Sequence, residues 1–426
     1  MSAQFQEPTV NLAVHPFRWM ILFGVWLLYF CFGLTVSGMA PLVPLIAKDL
    51  GISYSAIGGV MGAWQLVYIF SAMPCGALLG KYKPRWMLFA AALMIAVSGV
   101  LRGCATGNLS LFLAVAFFGL GGPMISVGAP KIVSLWFAGK ERGIAMGLYV
   151  TGSALGSVTA LALTHRVILP VLHGSWRATV FVYSGFILTA SLVWLAITAH
   201  PVNRAADRLL ATEPKRPQRE VFRELLGMRS IQIILLMSVG LFFYNHGLSN
   251  WLPEILRTGG MNPKAAGLWA SVPTMIGIFA SLLVPRFAIP ERRLAILFAL
   301  CAAECGASIL LQSAPGPFLG LGLVLQGASR GSLTTIAVLL LVETPGVGSR
   351  NAGAATGMFF AAAEIGGVAG PLTMGALYDA TGGFKVALAA LTTITIGLML
   401  IVFTMWRTEQ RVRTMVFSDA QTGGAD

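Results

Sequence analysis

Charge is scarce in this chain. Asp, Glu, Lys and Arg make up 11% of its 426 residues, against 56% hydrophobic. A soluble domain carries roughly 25% charged residues, and a single soluble core stops growing at roughly 250–300 residues. A bilayer is therefore the solvent this composition implies. Cysteine is sparse too: Cys31, Cys75, Cys104, Cys301 and Cys305 fall in or beside apolar segments, without C-x2-C spacing. That excludes a zinc site or disulfide framework and leaves small packing residues. The histidines (His15, His165, His173, His200, His246) are scattered, so no metal ligand set, cofactor site or catalytic constellation of a membrane enzyme is expected. No G-x4-G-K-[ST] loop occurs, which excludes that route to ATP. The N-terminus lacks a short apolar core followed by an A-x-A-like site, so no cleaved signal peptide is expected. The formal charge of +13 is spread over short gaps between apolar runs rather than gathered on one face, and nucleic acid is not expected as a partner.

What is abundant is long apolar sequence. Runs cover about Trp19–Ala40, 54–79, 86–105, 109–137, 142–165 and 177–198, then 231–253, 264–285, 292–312, 317–342, 352–377 and 384–406. Each approaches or exceeds the ~20 residues a helix needs to cross a ~30 Å hydrocarbon core. They are too long for strands and do not alternate. The expected fold is an all-α integral membrane protein of twelve transmembrane helices in two six-helix halves. The halves are 1–198 and 231–406, joined by a cytoplasmic linker at 199–230 and followed by a cytoplasmic tail at 407–426.

Lys and Arg set the orientation. With the N-terminus inside, the cytoplasmic segments hold 20 of the 29 basic residues, including Arg204, Arg208, Lys215, Arg216, Arg219, Arg223 and Arg229 of the linker. The outer segments hold 7: Lys48, Arg102, Arg166, Arg177, Arg257, Lys264 and Lys385; Lys131 and Arg330 lie within helices. Both termini are therefore expected in the cytoplasm, in a cytoplasmic (inner) membrane. The halves also echo one another. A shift of 214 lays Gly33 on Gly247 and Gly143, Gly152 and Gly156 on Gly357, Gly366 and Gly370; a shift of 210 aligns other glycines. Six-helix halves related by a repeat are a transporter signature.

These features resemble the major facilitator superfamily along nearly the whole chain. Gly76-Ala-Leu-Leu-Gly80-Lys81-Tyr-Lys83-Pro-Arg85 looks like the family's loop motif, although Gly80 stands where the family carries an aspartate that helps latch the halves. Gly143-x8-Gly152-x3-Gly156 is half of the fifth-helix glycine pattern, and Gly357-x8-Gly366-x3-Gly370-Pro371 is a fuller copy in helix 11. Ala129-Pro130-Lys131 through Trp136-Phe137 and Asn250-Trp251-Leu252-Pro253-Glu254 look like the cyanate/nitroimidazole-type carriers. More distantly they resemble the feline-leukaemia-virus-receptor-type carriers. The resemblance implies that helices 1, 4, 7 and 10 line a central cavity.

Breaks in apolarity carry the functional expectation, because a charge at mid-bilayer costs at least ~2.5–3.5 kcal/mol on insertion scales. Arg330 lies mid-helix 10 with Gln326 and Thr334 one turn either side, a polar row on an apolar helix. It is expected to bind or gate substrate, or else to form a structural ion pair. Glu364, mid-helix 11, turns away from Gly366, towards helix 10 or the cavity, and is the expected proton-coupling group. Lys131 either snorkels to the inner interface or attracts an anion from the cavity wall. Asn245 and His246 make helix 7 polar, whereas Glu304 of helix 9 reads as structural. The sequence thus points to a secondary carrier acting as a monomer, taking up a small organic anion with protons. Uptake of a neutral heterocycle or vitamin-type compound, and proton-driven drug efflux, are the alternatives.

Overall fold

The computed structural model describes residues 12, 15–203, 223–344 and 347–422. Arg204, Arg208, Lys215, Arg216 and Arg219 of the linker lie outside the described residues. Among the described residues, twelve helices are long and apolar enough to span a membrane. We number them α1 (Arg18–Ser37), α2 (Tyr54–Lys81), α3 (Pro84–Gly103), α4 (Asn108–Trp136), α5 (Gly139–Leu163), α6 (Trp176–Thr198), α7 (Arg229–Thr258), α8 (Pro263–Leu283), α9 (Arg293–Leu310), α10 (Pro317–Val342), α11 (Gly348–Thr381) and α12 (Lys385–Thr422).

Local chemistry sets the helix starts. Ser53, Ser175 and Asn262 each accept a backbone N–H from the first turn of α2, α6 and α8, satisfying donors a helix start leaves orphaned. Proline opens α3, α8 and α10, where its missing N–H costs nothing. Gly382 ends α11 in the left-handed conformation. Two elements run longer than the apolar runs suggest. A π-turn at Thr164–Ile168 carries α5 on to Val171. The last helix continues from the bilayer span through the expected tail as far as Thr422. Arg102, assigned above to an outer loop, is buried in the last turn of α3 and donates to the Thr35 carbonyl at 3.4 Å.

The same packing plan occurs twice. α1 packs on α5 and α6, α2 on α4, and α3 on α4 and α6; six helices later, α7 packs on α11 and α12, α8 on α10, and α9 on α10 and α12. Small residues make these close approaches. A side chain at Gly152 or Gly156 would strike backbone of α1; one at Gly366 or Gly370 would strike backbone of α7. Gly33 faces Ser153, and Gly247 faces Gly370. The 214-residue shift thus pairs glycines with matching duties. Outward faces carry bare apolar side chains such as Phe70, Phe279, Phe318 and Leu236, as lipid contact requires.

Among the described residues the most extensive contacts between the halves are α2 with α11 and α5 with α8, and α7 also meets the turn at Ala40–Leu42. One apolar cluster mixes both halves, with Val43, Ile57, Met61 and Leu161 against Trp251, Leu252, Ala266 and Met374. It lies at the end of the bundle where α2 begins and α11 ends, called here the Tyr54 end. At the opposite, Arg18 end, the ion pairs Arg18–Glu141 (2.8 Å) and Arg293–Glu343 (2.7 Å) each stay within one half.

Candidate functional site

The α2–α11 seam begins at Tyr54. Asp379 accepts the backbone N–H groups of Tyr54 (3.1 Å) and Ser55 (2.7 Å), placing a carboxylate at the positive end of α2. The Tyr54 ring stacks on Tyr378 (4.3 Å) and on Trp251 (5.2 Å). Its hydroxyl donates to Glu254. Glu254 is buried in α7 and held by Arg257 through a two-pronged pair at 2.6 and 2.7 Å, which supplies the partner a buried charge requires. Below Tyr54 the two backbones run in near contact. Gly375 sits against the Tyr54 carbonyl, Gly58 against Pro371 and Gly62 against Val368. The contacts step three or four residues at a time down one face of each helix.

Between mid-bundle and the Arg18 end lies a cavity of about 500 Å³. α1 contributes Tyr29 and Phe32; α5 contributes Thr151, Ser153 and Ser157; α7 contributes Asn245; α8 contributes Thr274 and Ser281; α10 contributes Arg330, Thr334 and Thr335. Arg330 is the one charged side chain among its lining residues. Its guanidinium has five N–H donors, and its hydrogen bond goes to the Thr274 hydroxyl at 3.4 Å. The lining thus combines one positive charge, several neutral hydroxyls and two aromatic rings.

A second polar group lies at the foot of the seam. The Gln65 amide of α2 is 3.3 Å from His246 Nδ1 of α7. Glu364 of α11 is buried, and its Oε2 lies over Gly367, where the Gln65 and His246 side chains also converge. Gln65 Oε1 and Glu364 Oε2 are both buried without a hydrogen-bond partner among the described residues. Nearby, Tyr68 bonds Ser126 at 3.1 Å.

The predicted residues therefore divide into two groups. Arg330, Thr334 and Asn245 meet at the cavity, while Glu364 and His246 meet at the seam. Gln326 is buried one turn from Arg330 with its Oε1 unpartnered, outside the cavity lining. Lys131 is half-buried near the Arg18 end of α4, also outside that lining. Glu304 of α9 is buried, and its backbone carbonyl accepts the Tyr244 hydroxyl at 2.9 Å. Sequence reasoning passed over Gln65, Tyr54 and Asp379, and it named Glu254 only as part of a motif. Gln65 alone carried a usable signal, an amide in the middle of an apolar span.

The family model described as Major Facilitator Superfamily matches residues 25–349. An uncharacterized transporter of Bacillus subtilis (strain 168), YycB, is 24% identical over 384 residues, covering 88% of this chain and 90% of that protein. A protein described as a probable L-galactonate transporter of Escherichia coli (strain K12) is 25% identical over 255 residues, covering 54% of this chain and 53% of that protein. The crystal structure of the nucleoside transporter NupG matches with a TM-score of 0.75 at 13% identity, covering 92% of this chain and 99% of that one. At such identity the likeness concerns the fold alone.

Proposed function

We propose that this chain, which belongs to the Major Facilitator Superfamily, takes up a small organic anion across the cytoplasmic membrane by proton-coupled alternating access. The observation that carries the anion is Arg330, the sole charged side chain lining the cavity between the halves. The similarity to a probable L-galactonate transporter supports the same class. The distribution of Lys and Arg supports a cytoplasmic Arg18 end. On that reading the seam closes the outer side and the cavity serves the inner one. Glu364 is the coupling carboxylate, because it is a buried acid where the two halves meet.

Tyr29 and Phe32 on the cavity wall, with ring centroids 5.9 Å apart, favour a second reading, a flat neutral heterocycle. Thermal-shift measurements on the purified full chain separate the two, with L-galactonate and other short carboxylates set against uridine. The expected result is stabilisation by a carboxylate that vanishes in Arg330→Ala. Stabilisation by uridine that persists in Arg330→Ala overturns the anion. Counterflow in proteoliposomes then tests carriage, and a proton gradient tests coupling. Glu364→Gln is expected to abolish gradient-driven uptake while exchange continues in part.

A further inference from the structure

We infer that Gln65 is the partner of the proton on Glu364, so that protonated Glu364 forms a hydrogen-bonded bridge between the two halves of the bundle. The inference deepens the proposed function and rests on its proton coupling, though not on the identity of the cargo.

The register of the seam supports this pairing. From Tyr54, the α2 positions facing α11 are Gly58 and Gly62, opposite Pro371 and Val368. The next positions on the two faces are Gln65 and Glu364. The glycines above them let the backbones touch, which brings these two longer side chains together at the foot of the seam. Gly367 is what makes room: a side chain there would strike Glu364 Oε2 and crowd Gln65 and His246.

The unmet hydrogen bonds specify the ligand. Gln65 Nε2 is directed at His246 Nδ1, which leaves Gln65 Oε1 as a buried acceptor with no donor. Glu364 Oε2 is a second such acceptor in the same space. Two unmet buried acceptors on side chains that converge on Gly367 are costly. One proton on Glu364 answers both, because the carboxyl O–H donates to Gln65 Oε1. When Glu364 is ionised, the Gln65 amide turns over. Its N–H2 then faces the carboxylate, the Glu364 proton having left to water, and its oxygen accepts from His246 Nδ1–H in the other neutral tautomer of the imidazole. Gln65 thus serves both charge states of Glu364 and passes the difference to His246.

The surroundings leave Glu364 as the acid of this group. α7 presents His246, and α2 presents Tyr68, which interacts electrostatically with Glu364. α10 has Arg330 as its ionisable residue, acting on His246 and on Glu304 of α9. The part of α12 from 386 to 406 has no ionisable residue. Because the bridge joins α2 to α11, proton binding and closure of the Tyr54 end stabilise each other.

Infrared difference spectroscopy of the purified full-length protein across a pH step tests this. The expected result is a protonated-carboxyl C=O band that disappears in Glu364→Gln, persists in Glu304→Gln, and moves to higher frequency in Gln65→Leu as its acceptor is lost. Gln65→Asn, one methylene shorter, should move the band the same way and serves if the leucine variant fails to fold. A band retained in Glu364→Gln, or one unmoved in both Gln65 variants, overturns the bridge. Carboxylate-induced thermal stabilisation is read on the same samples. If it survives while the band fails to move, the bridge falls and the anion carrier stands.

Discussion

The two six-helix halves share a scaffold but not a chemistry. Helix pairs repeat six elements apart, and Gly152 and Gly366 each meet the backbone of the first helix of their half. Yet Arg330, Glu304, Glu364, His246 and Glu254 all belong to the second half. The first half answers with neutral groups: Gln65 for His246 and, in the bridge inferred above, for Glu364, the Tyr54 hydroxyl for Glu254, and Thr151 and Ser157 across the cavity from Arg330. The duplicated part is therefore what brings helices close, and the divergent part is what handles charge. An arrangement with charge on one side and neutral polar groups on the other also limits the penalty for opening. Separating the halves strands no ion pair among these groups, because Glu254 keeps Arg257 within its own half.

The largest effect tests the shared scaffold. Gly152→Val and Gly366→Val should each force two helix backbones apart, at a cost of at least about 1–3 kcal/mol. Both variants should lose monodisperse protein on size-exclusion chromatography to a similar degree; loss in only one would break the equivalence. Next comes the chemistry of the second half. Arg330→Ala should weaken carboxylate binding by roughly 10–150-fold, since a hydrogen bond to a charged group contributes about 1.5–3 kcal/mol. Calorimetric titration checks this, and Thr151→Ala in the first half should cost less.

A smaller effect concerns the contact between the halves. Spin labels at Lys48 and Lys264, exposed near the Tyr54 end, should report distances that shorten as pH falls, because protonation favours the closed seam. The distribution should be flat with pH in Glu364→Gln. Asp379→Asn should lengthen it at every pH, since it weakens a helix-end interaction worth ~0.3–1 kcal/mol. The smallest effect is at the Arg18 end. Glu141→Gln and Glu343→Gln remove partners that are about half exposed (48% and 45%). Each should alter stability by about 1 kcal/mol or less, seen as a small shift in Tm.

The helices were legible because lipid demands continuous apolar runs, and polar intrusions stand out against them. Arg330 was found that way and does line the cavity. The seam was not legible, because its key contacts join residues far apart and of ordinary appearance. Tyr54 looks like any helix-start residue until Asp379 and Tyr378 reach it. Gly366 and Gly370 were visible as a close-packing pair, whereas Gly367, which makes room for Glu364, was one more glycine in a rich stretch. The direction of Glu364 followed from helix geometry only as a turn away from Gly366. Which neighbour it found depended on α2, which lies some 300 residues earlier in the chain.

That separation has a consequence for how the protein is made. Asp379 meets Tyr54 across 325 residues, which at ~5–20 residues per second take about 15–65 s to synthesise. Throughout that interval the glycine face of α2 waits in the membrane without its partner. Its backbone hydrogen bonds are already satisfied within the helix, so a smooth face exposed to lipid is harmless, whereas a charge there would not be. Placing the acid on late-made α11 and the neutral amide on early-made α2 lets that face of α2 wait without an orphaned charge.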